Sequence, residues 1–225
     1  MFISIAVRYN VLRKKVRERL ERCGYKSKLC VISSGIPPEF IADERCTDKN
    51  RMFTIISVGG YSNEKDQKTL ISAVGACKYA ADTQLILAGR GPLEKEYKKL
   101  GETLPNPPVM RFYEQDELRK EIRRADLYVH CANVEIEGMS CMEAFAQGTV
   151  PVIADSELSS TSVYALSEKN KYEAKNPEDL VSKIEYWYEH RDSLYSVGRD
   201  YIELAKSLSI EKSAQKVIRM MKEAI

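Results

Sequence analysis

A length of 225 residues, with 44% hydrophobic and 30% charged residues, is ordinary for a soluble protein with one good-sized core. The formal net charge of +2 gives no indication of nucleic-acid binding. No apolar run is long enough for a membrane span or a signal-peptide core, so we expect a cytoplasmic protein. Its six cysteines lack CxxC spacing and are expected to be reduced core thiols.

The first predicted element is a basic amphipathic helix over residues 8–23. Apolar side chains recur there on one helical face, at Val11, Leu12, Val16, Leu20 and Cys23. Such a helix either lies on an anionic membrane surface or packs with a solvated charged face, and the second case is commoner. A short strand over residues 28–33 and a turn over residues 34–38 follow.

Strands and helices then alternate along the chain. Short apolar, partly β-branched runs predict strands at residues 53–58, 85–88, 109–113, 127–129 and 150–153. Helical spacing predicts helices at 64–81, 93–100, 117–124, 139–146, 177–190, 191–207 and 210–225, with residues 164–176 irregular. This alternation predicts an α/β fold with a doubly wound parallel sheet.

Two carboxylates flank the start of the predicted helix at residue 139. Glu135 precedes it and Glu143 lies inside it, with seven residues between them and Gly138 in the turn. A lone pair of glutamates is more often a cap or dipole-matching feature, so the surrounding sequence has to decide. The first amides of a helix can hold a diphosphate, here those of Met139, Ser140 and Cys141.

The stretch Glu135, Glu143-Ala144 and Gly148-Thr149-Val150-Pro151-Val152 resembles the Glu-x7-Glu and Gly-x-Pro-Val motifs of the family 4 retaining glycosyltransferases, or glycosyl transferases group 1. The family has one residue fewer between Gly and Pro. The motif sequences are most similar to those of bacterial members that glucosylate lipid or surface-polymer acceptors. The resemblance implies a Rossmann-like domain, the C-terminal half of a two-domain GT-B enzyme, which binds UDP-glucose or a similar nucleotide sugar without cofactor.

In that family an acceptor-binding domain comes first. The resemblance therefore divides the chain into a remnant of that domain with its linker (1–30), the sugar-nucleotide-binding domain (31–205) and a C-terminal helix that would pack back on the first domain (206–225). We expect that helix to expose an apolar stripe, and to self-associate or to dock an acceptor domain in trans. The stripe is Ile210, Ala214, Val217, Met221 and Ile225, beside Val16 and Leu20.

The segment from Gly59 to Lys65 resembles the family's phosphate-binding turn, with one departure. The family has an arginine after the first glycine, where this chain has Gly60, whereas the family's lysine is present as Lys65. By resemblance Glu135 contacts the sugar and Lys65 the leaving diphosphate as catalytic residues, and Glu143 contacts the ribose. Lys65 could also be an ordinary solvated lysine in a first helical turn. The remaining predicted donor contacts are Gly59, Gly60, Gly138, the amides of residues 139–141, Gly89, Arg90, Gly91 and His130.

Other chemistries lack their sequence patterns. No GxGxxG follows the first strand, no Gly-x-Ser-x-Gly is present, and neither Asp-x-Asp nor a Cys/His set indicates a metal. The preferred hypothesis is a donor-binding domain that transfers a hexose to a lipid or glycan acceptor. The rivals are a degenerate, non-catalytic nucleotide-sugar-binding or partner-binding domain, and a flavodoxin-like module. The last explains neither the carboxylate spacing nor Lys65.

Overall fold

The computed structural model describes residues 9–11, 18, 20–24 and 29–223. Its strands are β1 (Tyr9–Val11), β2 (Leu29–Val31), β3 (Phe53–Val58), β4 (Thr83–Ala88), β5 (Val109–Arg111), β6 (Leu127–His130), β7 (Val150–Asp155) and β8 (Lys171–Glu173). Its helices in the described ranges include α1 (Gln67–Ala76), α2 (Glu94–Gly101), α3 (Gln115–Arg124), α4 (Met139–Ala146), α5 (Pro177–Glu189), α6 (Leu194–Ser207) and α7 (Ile210–Lys222).

A six-stranded parallel sheet forms the centre, in the order β5-β4-β3-β6-β7-β8. β3 pairs along its whole length with β4, from Phe53 opposite Thr83 to Val58 opposite Ala88, and on its other edge with β6. Helices cover both faces, with α1 against α5 and α4 against α6. Burial on both faces explains why β3 is a nearly continuous apolar run. The predicted doubly wound α/β fold is confirmed.

The predicted helix over residues 64–81 is wrong at both ends. α1 begins only at Gln67, because Asp66 before it adopts a left-handed conformation with φ of 47°. It ends at Ala76, and a separate 3₁₀ turn follows at Ala80–Asp82. Lys65 therefore lies in a turn ahead of the helix and not in its first turn.

The predicted helix over residues 8–23 is wrong at its start, where β1 pairs in parallel with β2. Residue 18 and residues 20–22 are helical, whereas Leu12 and Val16 lie outside the described residues. The irregular segment predicted at residues 164–176 contains 3₁₀ turns and β8, which adds the last strand beside β7. In both places, pairing with the neighbouring strand along the chain decides the local structure.

The cysteine prediction is confirmed only in part. The cysteines within the described ranges form no disulfide, and three of them are buried, namely Cys77, Cys131 and Cys141. Cys23 is exposed and Cys30 and Cys46 are half-buried, so these three are not core thiols. Their positions precede β3, outside the helices and strands that pack the central sheet.

Helix α7 exposes most of its predicted apolar stripe. Ile210 and Met221 are exposed and Val217 is half-buried, whereas Ile225 lies outside the described residues. No helix within the described ranges is both long enough and apolar enough to cross a membrane.

Candidate active site

The candidate residues lie at the carboxyl ends of the central strands. The β3–α1 loop carries Lys65, the β4–α2 loop carries Arg90, and the β6–α4 loop carries Glu135. The chain order of the strands reverses between β3 and β6, because β4 and β5 lie to one side and β7 and β8 to the other. Ligands of open parallel sheets bind in the crevice at such a reversal.

An ion pair joins two of these loops. Lys65 Nζ lies 2.5 Å from Glu135 Oε2, and their side chains are 32% and 18% exposed. Neighbouring contacts hold both loops in place, since Asn133 N–H donates to Glu64 O (2.8 Å) and Asn133 Nδ2 donates to Asp66 Oδ2 (3.1 Å). The structure thus brings together the two residues for which the family resemblance implies a catalytic role.

Glu135 is held as a carboxylate. Burial alone would raise its pKa, but the hydrogen bond and charge of Lys65 outweigh burial and hold the pKa below its usual value. Its other oxygen, Oε1, accepts a hydrogen bond from Ile136 N–H (3.1 Å). Glu135 therefore presents a negative charge at neutral pH, which can accept hydrogen bonds from hydroxyl groups.

His130 lies directly behind this pair. Its Nε2 is 3.9 Å from Glu135 Oε2, is buried and has no hydrogen-bond partner among the described residues. Its Nδ1 is 3.4 Å from the Tyr128 hydroxyl. Burial lowers the pKa of His130 to about 4, with Glu135 raising it and Lys65 lowering it by smaller amounts. The ring is neutral at pH 7 and serves no acid role there.

We expect His130 to make the fold less stable in mild acid. The unfolded chain binds a proton on this residue near pH 6.5, but the folded chain does so only near pH 4. Its stabilising contribution is complete above pH 6.5 and is lost as the pH falls to 4, by on the order of 3 kcal/mol. The melting temperature should therefore change less between pH 4 and pH 8 for His130→Gln than for the wild type. His190→Gln, which changes an exposed histidine, should keep the wild-type profile; equal slopes for all three proteins would contradict this account.

The start of α4 offers backbone amides to the same crevice. Gly138 caps the helix with φ of 69°, and a Cβ there would lie 2.8 Å from the Thr161 side chain. Cys141 N–H donates to Gly138 O (2.9 Å), so of the three predicted amides those of Met139 and Ser140 remain for a ligand. The Ser140 hydroxyl accepts a hydrogen bond from the Tyr128 hydroxyl (2.9 Å), which ties the first turn of α4 to strand β6.

Glu143 lies one turn further along α4, in a small hollow of its own. Leu118, Arg119 and Gln147 are among the residues that line this hollow. Burial raises the pKa of Glu143, while Arg119 lowers it by a smaller amount. The carboxylate has no hydrogen-bond partner in the part of the chain that the structure describes. An unpaired, half-buried carboxylate can accept hydrogen bonds from a ligand.

A cavity of about 240 Å³ lies on the other side of Leu118. Several of the predicted donor-binding residues line this cavity. Phe112, an aromatic residue that the sequence analysis did not single out, lines it as well. The Arg90 guanidinium lies over the Phe112 ring at 4.9 Å. The lining residues are Val58, Gly59, Gly60, Ala88, Gly89, Arg90, Phe112, Tyr113 and Leu118. Its walls are mainly apolar, as suits a planar ring.

The glycines of these loops have different roles. A Cβ at Gly89 would collide with Gly59 O, and one at Gly91 would lie 2.6 Å from the Tyr61 backbone, so both glycines let the two loops pack against each other. At Gly60, by contrast, the nearest atom to an added Cβ is Arg90 O at 3.7 Å. Gly60 is exposed and has no positive φ, so this position accepts a side chain.

The predicted residues thus form three adjacent groups at the carboxyl ends of the central strands. Lys65, Glu135 and His130 meet directly, Glu143 faces its own hollow, and Gly59, Gly60, Gly89 and Arg90 line the cavity. The sequence reasoning missed Asp66, Asn133, Tyr128 and Phe112. A polar Asn133 soon after a buried strand was a usable signal for the loop contact; the others carried none. No three His, Cys, Asp or Glu side chains are grouped as metal ligands within the described ranges.

Comparison with solved structures shows related proteins. The catalytic domain of cholesterol-alpha-glucosyltransferase from Helicobacter pylori is 42% identical, with a TM-score of 0.67 over 69% of this chain and 98% of that one. Alr3699/HepE from Anabaena, in complex with UDP, is 15% identical, with a TM-score of 0.79 over 95% of this chain and 63% of that one. A TarM variant from S. aureus, bound to UDP among other ligands, is 19% identical, with a TM-score of 0.79 over 93% and 43%.

The chain therefore spans slightly less than two thirds of the length of Alr3699/HepE and less than half of the length of TarM, whose similarity shows the shared fold. A search of curated protein sequences found no match. The family described as glycosyl transferases group 1 matches residues 42–220, which include every candidate site residue. This chain belongs to the glycosyl transferases group 1 family.

Proposed function

We propose that this chain is the donor-binding domain of a retaining glycosyltransferase that transfers a hexose from UDP-glucose or a similar UDP-sugar to a lipid or glycan acceptor. The observation that carries the proposal is the Lys65–Glu135 pair beside the open amides of α4. A cation and a helix start attract a diphosphate, and a carboxylate beside them accepts hydrogen bonds from a sugar.

Each group has a role in the proposed complex. Lys65 and the amides of Met139 and Ser140 bind the diphosphate, and Glu135 binds hydroxyls of the sugar. Glu143 binds the ribose hydroxyls with its unpaired carboxylate. The base occupies the cavity beside Phe112, and Arg90, at the rim of that cavity, supplies a second cation near the phosphates.

Catalysis in this proposal is electrostatic. The ammonium group of Lys65 has three donors and Glu135 occupies one of them, so the others are available to phosphate oxygens. Negative charge accumulates on the departing diphosphate in the transition state, and preorganised donors stabilise it there more than in the ground state. His130 beside the pair is neutral at pH 7, so it adds no charge to the site.

An apolar surface next to Glu135 favours an apolar acceptor. Glu135 pairs with Ser159 in a short parallel bridge, and the exposed apolar side chains flanking it are Val134, Ile136 and Leu158. Ile136 is 63% exposed although it adjoins the carboxylate that would bind the sugar. A relative 42% identical is named for a cholesterol glucosyltransferase activity, which agrees with a lipid as the acceptor class. The exposed stripe of α7 would contact an acceptor domain or a second copy of the chain.

Gly60 favours the rival proposal of a degenerate domain without catalysis, because it replaces the family's arginine. Calorimetric titration with UDP, UDP-glucose and flavin mononucleotide tests all the alternatives. We expect UDP and UDP-glucose to bind and the flavin not to bind. Flavin binding without UDP binding would remove the nucleotide-sugar assignment, and UDP binding without turnover of UDP-glucose in the presence of a lipid acceptor would support the degenerate domain.

We expect Gly60→Arg to tighten UDP binding by about tenfold, or about 1.4 kcal/mol. The position is open and has no positive φ, so the new guanidinium can reach the phosphates without straining the backbone. Titration at low and moderate salt measures the gain, which should shrink as salt screens the charge. Gly60→Ala is the control for added bulk and should leave the affinity unchanged. Equal affinity of Gly60→Arg and Gly60→Ala would count against phosphates at this position.

We expect Glu143→Gln to weaken UDP binding by about 5-fold to 30-fold, or about 1–2 kcal/mol, because a neutral amide replaces an ionic acceptor of two hydroxyls. The melting temperature should stay constant or rise slightly, since burial already disfavours the carboxylate. Titration and thermal melting of the same samples measure both effects. Asp116→Asn removes an exposed carboxylate from nearby α3 and should change neither. Undiminished UDP affinity in Glu143→Gln would exclude the ribose contact.

A further inference from the structure

A second carboxylate in the β6–α4 loop, Glu137, faces away from solvent and is only 5% exposed. Its Oε1 accepts hydrogen bonds from the Ser33 hydroxyl (2.5 Å) and from Ser34 N–H (3.0 Å). Its Oε2 accepts from the Ser34 hydroxyl (2.5 Å) and from Ser34 N–H (3.2 Å). A buried carboxylate is tolerated only with such partners, so this contact is a specific one.

The 33–36 segment that holds Glu137 is itself fixed on its other side. Ile36 N–H donates to Leu208 O (2.9 Å), and Ile210 N–H donates to Ile36 O (3.0 Å). Gly35 has φ of 88°, and a Cβ there would lie 2.5 Å from Ile210 Cα. The segment therefore connects the β6–α4 loop to the junction between α6 and α7.

Glu137 also lies between the two parts of its loop that are proposed to bind the ligand. Two residues before it is Glu135, and directly after it is Gly138, the cap of α4. The 33–36 segment supplies none of the residues that line the cavity or the Glu143 hollow. The side-chain hydrogen bonds between this segment and the site therefore run through Glu137 and the β6–α4 loop.

We propose that Glu137 is a positioning residue: by its hydrogen bonds to Ser33 and Ser34 it fixes Glu135 and the start of α4, so that diphosphate binding depends on the 33–36 segment. The inference rests on the proposed function for its ligand. A merely structural contact would change the melting temperature alone. A positioning contact changes UDP affinity and the order of the β6–α4 loop as well.

The test compares UDP affinity in Glu137→Ala, in the double variant Ser33→Ala/Ser34→Ala and in all three changes together, well below their melting temperatures. We expect about fivefold to tenfold weaker binding in each, without addition in the combined variant, because all three break the same contact. Glu137→Gln should retain more affinity than Glu137→Ala, since its amide keeps an acceptor and gains a donor. Ser182→Ala/Ser196→Ala, which changes two exposed serines, is the matched control.

Hydrogen exchange in the absence of nucleotide makes the test independent of UDP. We expect faster exchange at residues 135–142 in Ser33→Ala/Ser34→Ala than in the wild type or the control. Wild-type UDP affinity and wild-type exchange there, with only a lower melting temperature, would overturn the inference. If the wild type itself fails to bind UDP, the proposed function fails, and exchange at residues 135–142 alone still decides the role of Glu137.

Discussion

Lys65→Met is expected to weaken UDP binding by about 100-fold, or about 2.7 kcal/mol. The change removes a charge-assisted hydrogen bond to the diphosphate, worth about 1.5–3 kcal/mol. It also leaves the Glu135 carboxylate unpaired next to the phosphates, where like charges repel. Methionine keeps most of the aliphatic length of lysine, so packing is largely preserved. Calorimetric titration of the variant with UDP measures the loss.

Three further proteins separate the causes of that loss. Lys68→Met removes an exposed lysine paired with Glu96 and should bind UDP as the wild type does. Glu135→Gln should bind UDP at least as tightly as the wild type, because it frees Lys65, yet should abolish sugar transfer. Lys65→Met/Glu135→Gln should bind UDP better than Lys65→Met alone, since the repulsion is gone. Wild-type affinity in Lys65→Met would show that the diphosphate does not lie beside this residue.

Gly138→Ala is expected to destabilise the fold by on the order of 2–3 kcal/mol and to abolish measurable UDP binding. The backbone at this position has φ of 69°, which a Cβ disfavours, and the added atom would lie 2.8 Å from the Thr161 side chain. Relief of both requires the β6–α4 loop to move, and that loop carries Glu135. The loss should appear as a melting temperature lower by roughly 5–10 °C.

Gly75→Ala serves as the control for this prediction. Gly75 lies inside α1, where an added Cβ would make only an ordinary contact with Leu104 at 3.8 Å. Alanine is the better helix former, so this variant should be as stable as the wild type or more stable by about 0.5–1 kcal/mol. If Gly138→Ala melts and binds UDP as Gly75→Ala does, the cap conformation is not required for the site.

The central sheet could be predicted because its strands are buried on both faces. β3 is a nearly continuous apolar run, and its observed bounds equal the predicted ones. β8, with the sequence Lys-Tyr-Glu, has only one buried side chain and forms because β7 offers it a partner. β1 depends in the same way on β2. Short polar strands of this kind leave no periodic pattern, so the sequence could not predict them.

Only the part of the site whose residues lie close together along the chain could be predicted from their spacing. Glu135, Gly138 and Glu143 lie within one local unit, and their order along the chain predicts their placement around the start of α4. The contact of Lys65 with Glu135 joins residues 70 positions apart, and the position of Lys65 depends on the left-handed Asp66. The ion pair itself arises from loop packing, whereas the family resemblance implies only that both residues contact the donor.

The place of β3 in the sheet has a consequence for how the protein is made. One edge of β3 can pair with β4 soon after β3 is synthesised, but the other edge has no partner until β6 is synthesised. The hydrogen bond from Thr54 N–H to Asp126 Oδ2 joins residues 72 positions apart. At about 5–20 residues per second, a ribosome needs several seconds to deliver them. During this interval a nascent chain exposes an unpaired, apolar strand edge that can pair with other chains. Chains released before residue 130 therefore lack both the second half of the sheet and the carboxylate partner of Lys65, and they should be substrates for chaperones and proteases.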